Sequence, residues 1–336
     1  MKRGISFLLT VLLCMFSICA HAGSKPMTKY APGQMIDIGW GEKVKFVAGC
    51  ELDDGIGFAL VDTYFNDGYL IRTNGMDWQM SISGGLPVSE NWEAEIAAAG
   101  GYGCVVRLRG DGMFRAYMFG YAPTQVNSDR WVLTGFGQQS GDVFFSAAFS
   151  LDRVQAVEQS GEKEQTYTAY YAFYNEANNL DHAKVPGSIE DVKRLEKEYP
   201  VAVVSPDDPA ARVNLRKGPS TKTERVGSLY SGAQLRIREI RDGWAKIFVG
   251  DTEAYIRTDF LTFGAALEDV PDMQPTARVR DGERIEVSRR PYRGGGGSVT
   301  WTRGGQDVCI MGEYNDEWRI VSEYPRSYYI HIADLR

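Results

Sequence analysis

Histidine is scarce in this chain, with three among 336 residues: His21, His182 and His331. Most hydrolytic nucleophiles need a nearby histidine as their base, so this scarcity argues against an enzyme. No spacing of Cys, His, Asp and Glu matches a metal site, and no glycine-rich phosphate motif precedes a helix. We therefore expect a non-enzymatic protein without a metal or a cofactor.

Long apolar runs are also missing, apart from one short run at the start. Met1-Lys2-Arg3 precedes the apolar stretch from Ile5 to Ala20, and Ala20-His21-Ala22 is a small-residue cleavage site. This pattern predicts a secretory signal peptide over residues 1–22 and export to the periplasm or the cell exterior. No later stretch is long enough to cross a bilayer, so no transmembrane segment is expected.

Cysteine is rare as well, and two of the five cysteines belong to the predicted signal peptide. Cys50 and Cys104 fall in one N-terminal region, and export to an oxidising compartment makes a disulfide between them a hypothesis. A structural thiol is the alternative for Cys104. Cys309 lies in an apolar run, where a cysteine is typically a small hydrophobe.

Positive charge is too sparse to indicate a nucleic-acid partner. Residues 23–210 carry 15 basic and 26 acidic side chains, whereas residues 211–262 carry 10 basic and 6 acidic ones, a net charge of +4. The small basic excess is compatible with an anionic partner, and a solvated surface is the alternative interpretation.

Strand patterns dominate residues 30–180, with likely turn sequences between paired runs. Asn66-Asp67-Gly68 and Gly110-Asp111-Gly112 each separate two strand-like runs and predict hairpins. We predict an all-β fold, with an N-terminal antiparallel β-sandwich or barrel. The run Glu93–Ala99 is interpreted as a helical turn.

A single helix is predicted before the C-terminal part of the chain. Ser188 and Asp191 have capping-box spacing, and apolar residues follow at helical intervals. The predicted organisation is as follows: signal peptide, 1–22; β domain, 23–186; helix and linker, 187–210; first small barrel, 211–262; linker, 263–276; second small barrel, 277–336.

Three signals between residues 212 and 262 occur in the order of one small β module. They are Val213-Asn214-Leu215-Arg216-Lys217-Gly218-Pro219-Ser220, Gly243-Trp244-Ala245-Lys246-Ile247, and Ala254-Tyr255-Ile256-Arg257-Thr258-Asp259-Phe260-Leu261. Short strand runs separated by turn sequences predict a small barrel. The stretch resembles the bacterial Src-homology-3 (SH3b) family. That resemblance implies a binding module of secreted and cell-envelope proteins.

A second, degenerate copy of this module is predicted over residues 277–336. Trp244 and Tyr255 are 11 positions apart, as are Trp318 and Tyr329. The interval of 6 positions from Tyr255 to Leu261 also recurs between Tyr329 and Leu335. In this alignment Arg278-Val279 matches Arg212-Val213, and an insertion containing Arg289, Arg290 and four glycines follows.

The resemblance implies recognition of peptidoglycan peptides or an envelope protein by aromatic and polar residues of the barrels. Its candidate site residues are Asn214, Arg216, Trp244 and Tyr255 in the first copy, and Trp318 and Tyr329 in the second. Packing is the alternative role for the aromatic residues. Two other functions stay open: a periplasmic inhibitor or assembly factor acting through the N-terminal domain, and a cell-wall hydrolase. Cys104 with His182 is the only dyad that the hydrolase hypothesis offers, and Gly103-Cys104-Val105-Val106 lacks the Asp-Cys-Ser-Gly signature of such peptidases.

Overall fold

The computed structural model describes residues 24–39, 41, 43–52, 55–63, 67–73, 78–88, 92–99, 103–122, 130–149, 153–171, 185–270, 274–282, 285–292, 299–302, 304–323 and 326–336. These residues form an all-β protein in two compact units, the first ending at residue 194 and the second containing residues 169–171 and 195–336. In the described ranges no helix is long and apolar enough to cross a membrane. The predicted signal peptide lies outside those ranges.

The first unit contains two sheets whose strands follow one another along the chain. The six strands of the first sheet are β1 (Ser24–Pro26), β2 (Met35–Asp37), β3 (Lys43–Leu52), β4 (Gly57–Asp62), β5 (Asp67–Thr73) and β6 (Trp78–Pro87). The seven strands of the second are β7 (Glu93–Ala99), β8 (Gly103–Gly110), β9 (Met113–Ala122), β10 (Arg130–Ser140), β11 (Val143–Phe149), β12 (Val154–Ser160) and β13 (Lys163–Ala169).

The two predicted hairpins are confirmed. β4 pairs with β5, and β8 pairs with β9 up to Gly110 opposite Met113. Asp111 and Gly112 form the turn between β8 and β9 with φ angles of 51° and 70°, which suit the primed turns of tight hairpins. The helical turn predicted for Glu93–Ala99 is wrong. Its exposed glutamates alternate with partly or fully buried residues, and this period of two produces strand β7.

Helix α1 (Ile189–Glu198) begins where the capping pattern predicts. The Ser188 hydroxyl accepts a hydrogen bond from the Asp191 amide at 3.1 Å, which satisfies one of the amides exposed at a helix start. Glu158 of β12 accepts another from the Ile189 amide at 3.0 Å. The carboxylate therefore both caps the helix and complements its positive end.

The second unit contains two successive groups of short strands. The first group is β14 (Val201–Val204), β15 (Val213–Arg216), β16 (Arg225–Leu229), β17 (Gln234–Arg236), β18 (Glu239–Arg241), β19 (Trp244–Val249), β20 (Thr252–Arg257) and β21 (Leu261–Phe263). The second group is β22 (Thr276–Arg278), β23 (Ile285–Ser288), β24 (Val299–Thr302), β25 (Asp307–Glu313), β26 (Trp318–Glu323) and β27 (Arg326–His331). We call them the first and the second barrel.

Strand β14 lies within the segment predicted as a linker. It pairs with β17 on one side and β21 on the other. Ala202 and Val204 of β14 are fully buried in the core of the first barrel. The barrel therefore begins near residue 201, because the linker contributes a buried apolar strand to it.

Strand pairing in the two barrels follows one pattern. Arg216 of β15 lies opposite Tyr255 of β20, and Ser288 of β23 lies opposite Tyr329 of β27. Strand β23, Ile285–Ser288, is thus the counterpart of β15. The alignment of Arg278-Val279 with Arg212-Val213 is wrong, because Thr276–Arg278 forms a separate strand that pairs with β25.

The two barrels share a continuous sheet. Strand β16 of the first pairs with β25 of the second, with Ser228 opposite Glu313 and Leu229 opposite Gly312. Glu313 also accepts hydrogen bonds from Arg212 and from the Tyr230 hydroxyl of the first barrel. The tandem copies are therefore joined by main-chain pairing and by side chains.

Candidate ligand-binding face

Strands β15, β19 and β20 give the first barrel an outer face that carries the predicted site residues. Along each strand, buried apolar residues alternate with residues that point outward. Ala245, Ile247 and Ile256, among others, are buried in the core. Trp244 and Tyr255 are half-buried and lie on the opposite side from that core.

Strand register brings the predicted residues together on this face. Tyr255 lies opposite Lys246 of β19 on one side and opposite Arg216 of β15 on the other. Trp244 lies opposite Arg257. Residues opposite each other on neighbouring antiparallel strands point to the same face, so two aromatic rings and three cationic side chains share one surface.

An ion pair fixes the centre of the face. The Tyr255 hydroxyl donates a hydrogen bond to Glu253 at 2.8 Å, and the Lys246 ammonium lies 2.6 Å from the other oxygen of that carboxylate. The hydrogen bond from Lys246 lowers the pKa of Glu253, and Tyr255 lowers it further. The hydrogen bond to Glu253 in turn raises the pKa of Lys246 and that of Tyr255. Glu253 is therefore ionised and Lys246 charged at neutral pH.

Arg216, at the edge of the face, also bonds to the loop that follows β15. Its guanidinium donates to the Thr223 carbonyl at 2.7 Å, and the Thr223 hydroxyl lies within hydrogen-bond distance of the Gly218 and Ser220 carbonyls. These contacts order the loop that follows β15. Asn214, two residues earlier on the same strand, is exposed.

The sequence-based set omitted Lys246, Glu253, Arg257 and Phe248, which also lie on this face. Phe248 is 43% exposed on the same side of β19 as Trp244. Taking every second residue from Trp244 along β19, and from Tyr255 in both directions along β20, would have identified all four. The motif alone did not, because it selects family positions and not strand faces.

The site residues predicted in the second barrel have different surroundings. Trp318 is 6% exposed and Tyr329 is fully buried. Both belong to the core cluster of the first barrel. They are counterparts of Trp244 and Tyr255 in register but are closed to solvent, so their positions do not support the predicted binding role.

The N-terminal cysteines lie in the interior of the first unit. Cys50 of β3 and Cys104 of β8 are both buried, with exposures of 1% and 0%. Burial raises the pKa of Cys104 well above its usual value, and the nearby Cys50 raises it further. Their disulfide stays a prediction. His182, the other member of the predicted dyad, lies outside the described residues.

The comparison with protein families matches part of the first barrel. The bacterial SH3 domain family matches residues 211–262. No curated protein matches the chain. Among solved structures, NlpC1 and NlpC2 from Trichomonas vaginalis each share 14% identity over 41% of this chain, covering 45% and 48% of their own chains, with TM-scores of 0.22 and 0.19. The chain thus spans less than half of either structure, and TM-scores this low carry no argument. Residues 211–262 are a bacterial SH3 domain, a module typical of extracellular and cell-envelope proteins.

Proposed function

We propose that this chain is an exported, non-enzymatic binding protein of the cell envelope. Its ligand is a peptidoglycan peptide, held on the outer face of the first barrel by Trp244 and Tyr255. The observation that supports this proposal is the position of both rings, which lie half-buried outside the core and beside charged side chains. Aromatic residues held rigidly in this way supply large contact area at little entropic cost.

The charges of the face suit a peptide that carries both carboxylate and ammonium groups. Arg257, which also pairs with Asp259, lies beside Trp244, and Arg216 lies beside Tyr255, so both rings have a cationic neighbour that attracts carboxylates. The Glu253 carboxylate, which accepts hydrogen bonds from Lys246 and Tyr255, is the anion on the same face. Stem peptides of the cell wall combine these groups along an extended backbone.

The buried thiol of Cys104 favours a role without catalysis. The thiolate is the reactive form of cysteine, and the raised pKa disfavours it at neutral pH. Its position inside β8 also prevents contact with a bulky polymer.

Sedimentation with purified cell-wall sacculi tests the proposal. We expect the protein to pellet with sacculi, and Trp244→Ala to weaken that binding about tenfold, as loss of an aromatic anchor does. Ile332→Ala is the matched control, because Ile332 is 40% exposed in the second barrel and its removal should leave binding unchanged.

Two results would overturn the proposal. A protein that stays in the supernatant with every sacculus preparation does not bind the wall, and cross-linking in the envelope would then seek a protein partner. Release of soluble fragments from sacculi, absent with heat-inactivated protein, would show a hydrolase. A Cys104→Ala variant would determine whether that activity needs the thiol.

A further inference from the structure

The second barrel has an outer face equivalent to that of the first, but the first barrel covers it. Trp318, Ile320 and Tyr329 point outward from β26 and β27, as Trp244, Lys246 and Tyr255 do from β19 and β20. All three belong to the first barrel's core. The second barrel keeps a separate core of its own on the other side of these strands.

The loss of a charged residue is one reason why this face can be buried. Lys246 of the first barrel corresponds to Ile320 of the second, since each lies opposite the tyrosine of its copy. Lys246 is charged and half-exposed, whereas Ile320 is fully buried. An ammonium in that place would need a partner or water, and isoleucine needs neither. The second copy therefore has a docking surface where the first has an open one.

Besides β16, Arg212 and Tyr230, the turn between β19 and β20 is a further part of the first barrel that forms hydrogen bonds with the second barrel. The Tyr329 hydroxyl donates to the Val249 carbonyl at 3.1 Å. The Gly250 amide donates to the Ser327 hydroxyl at 3.2 Å, and the Asp251 amide donates to the Arg289 carbonyl at 2.8 Å. Burial raises the pKa of Tyr329, so its hydroxyl keeps the proton that it donates.

Two ion pairs and a close approach of the two main chains also stabilise this contact. The Asp251 carboxylate lies 3.6 Å from the guanidinium of Arg289 and 3.8 Å from that of Arg290. Gly250 has a φ of 56°, and a Cβ added there would lie 2.1 Å from the Arg289 carbonyl oxygen. Only a residue without a side chain allows the two main chains to approach so closely.

We propose that the second barrel is an internal partner that binds the β19–β20 turn and thereby positions the hairpin carrying Trp244 and Tyr255. Ser327, Tyr329, Arg289 and Arg290 form this turn clamp. The chain then has one ligand face and not two, a consequence that rests on the proposed function. The clamp itself is independent of any ligand.

The double variant Ser327→Ala/Tyr329→Phe tests the clamp in the full chain. It removes two hydroxyl groups and keeps the buried phenyl ring. The readout is hydrogen exchange at the Asp251 amide, because its acceptor, the Arg289 carbonyl, is untouched by either substitution. We expect exchange there to accelerate at least about tenfold, as loss of one buried and one partly buried hydrogen bond predicts. Tyr255→Phe is the matched control for the exchange measurement alone, since it removes the equivalent hydroxyl from the first copy.

Each outcome decides the proposal. Faster exchange at Asp251 in the double variant, with unchanged exchange in the control and in β26, supports the clamp. Unchanged exchange at Asp251, or equal acceleration throughout the second unit, overturns it. Binding to sacculi forms a second arm, in which we expect the double variant to bind several-fold more weakly. If the unmodified protein does not bind sacculi, the proposed function fails while the exchange result still decides the clamp.

Discussion

Trp244 and Trp318 occupy equivalent places in the two barrels, and replacing each by alanine should have very different consequences for stability. Trp318 is 6% exposed and packs edge-on to His331, with ring centroids 5.2 Å apart. Removing a buried tryptophan side chain costs about 3–5 kcal/mol. Trp244 is half-buried outside the core, and its loss should cost about 1–2 kcal/mol.

The location of the damage is more informative than its size. Because Trp318 belongs to the core of the first barrel, Trp318→Ala should weaken β15 and β19 as well as β26. Hydrogen exchange of the full chain, resolved by strand, measures this directly. Thermal unfolding should show a fall of roughly 10 °C in the transition of the second unit.

Two results would refute the shared core. One is faster exchange confined to the strands of the second barrel. The other is an equal loss of stability in Trp244→Ala and Trp318→Ala. Either would mean that the first barrel closes its core without the second.

Three further predictions concern single positions. Gly312→Ala should destabilise the junction by about 2–4 kcal/mol in urea unfolding, since its Cβ would lie 2.1 Å from the Ser228 carbonyl oxygen and β16 must separate from β25. Binding to sacculi should weaken as the pH falls through the lowered pKa of Glu253. The contacts of a carboxylate with a depressed pKa persist above that pKa and are lost below it. Glu253→Gln should therefore remove this pH dependence. Cys104 should react with iodoacetamide only after denaturation, and a reaction that still requires prior reduction would reveal a disulfide with Cys50.

Local chemistry explains where the sequence-based prediction succeeded. The turn at Asp111-Gly112 needs left-handed backbone, and the start of α1 needs a hydroxyl cap, so a few neighbouring residues determine each element. The strands that carry Trp244 and Tyr255 were likewise predictable, because buried and outward-facing residues alternate clearly along them. Fold class and the first barrel were therefore predictable from the sequence.

Contacts between distant segments account for what was missed. The alanine-rich run Glu93–Ala99 favours a helix by composition, yet pairing with β8 makes it a strand. Trp318 and Tyr329 are the same residue types as Trp244 and Tyr255, and their burial depends on a barrel some 70 residues earlier. Ile320 in the place of Lys246 was a local sign that the second face is covered.

The pairing of β14 and β25 with the first barrel bears on any fragment cut at the boundaries of the family match. A peptide of residues 211–262 would lack β14, which pairs with β17 and β21, and β25, which pairs with β16. Both losses expose unpaired main-chain groups along strand edges, which are templates for aggregation. A soluble fragment for ligand screening should therefore extend from about residue 195 to residue 336. Transfer of the module to another protein as an affinity tag requires the same length.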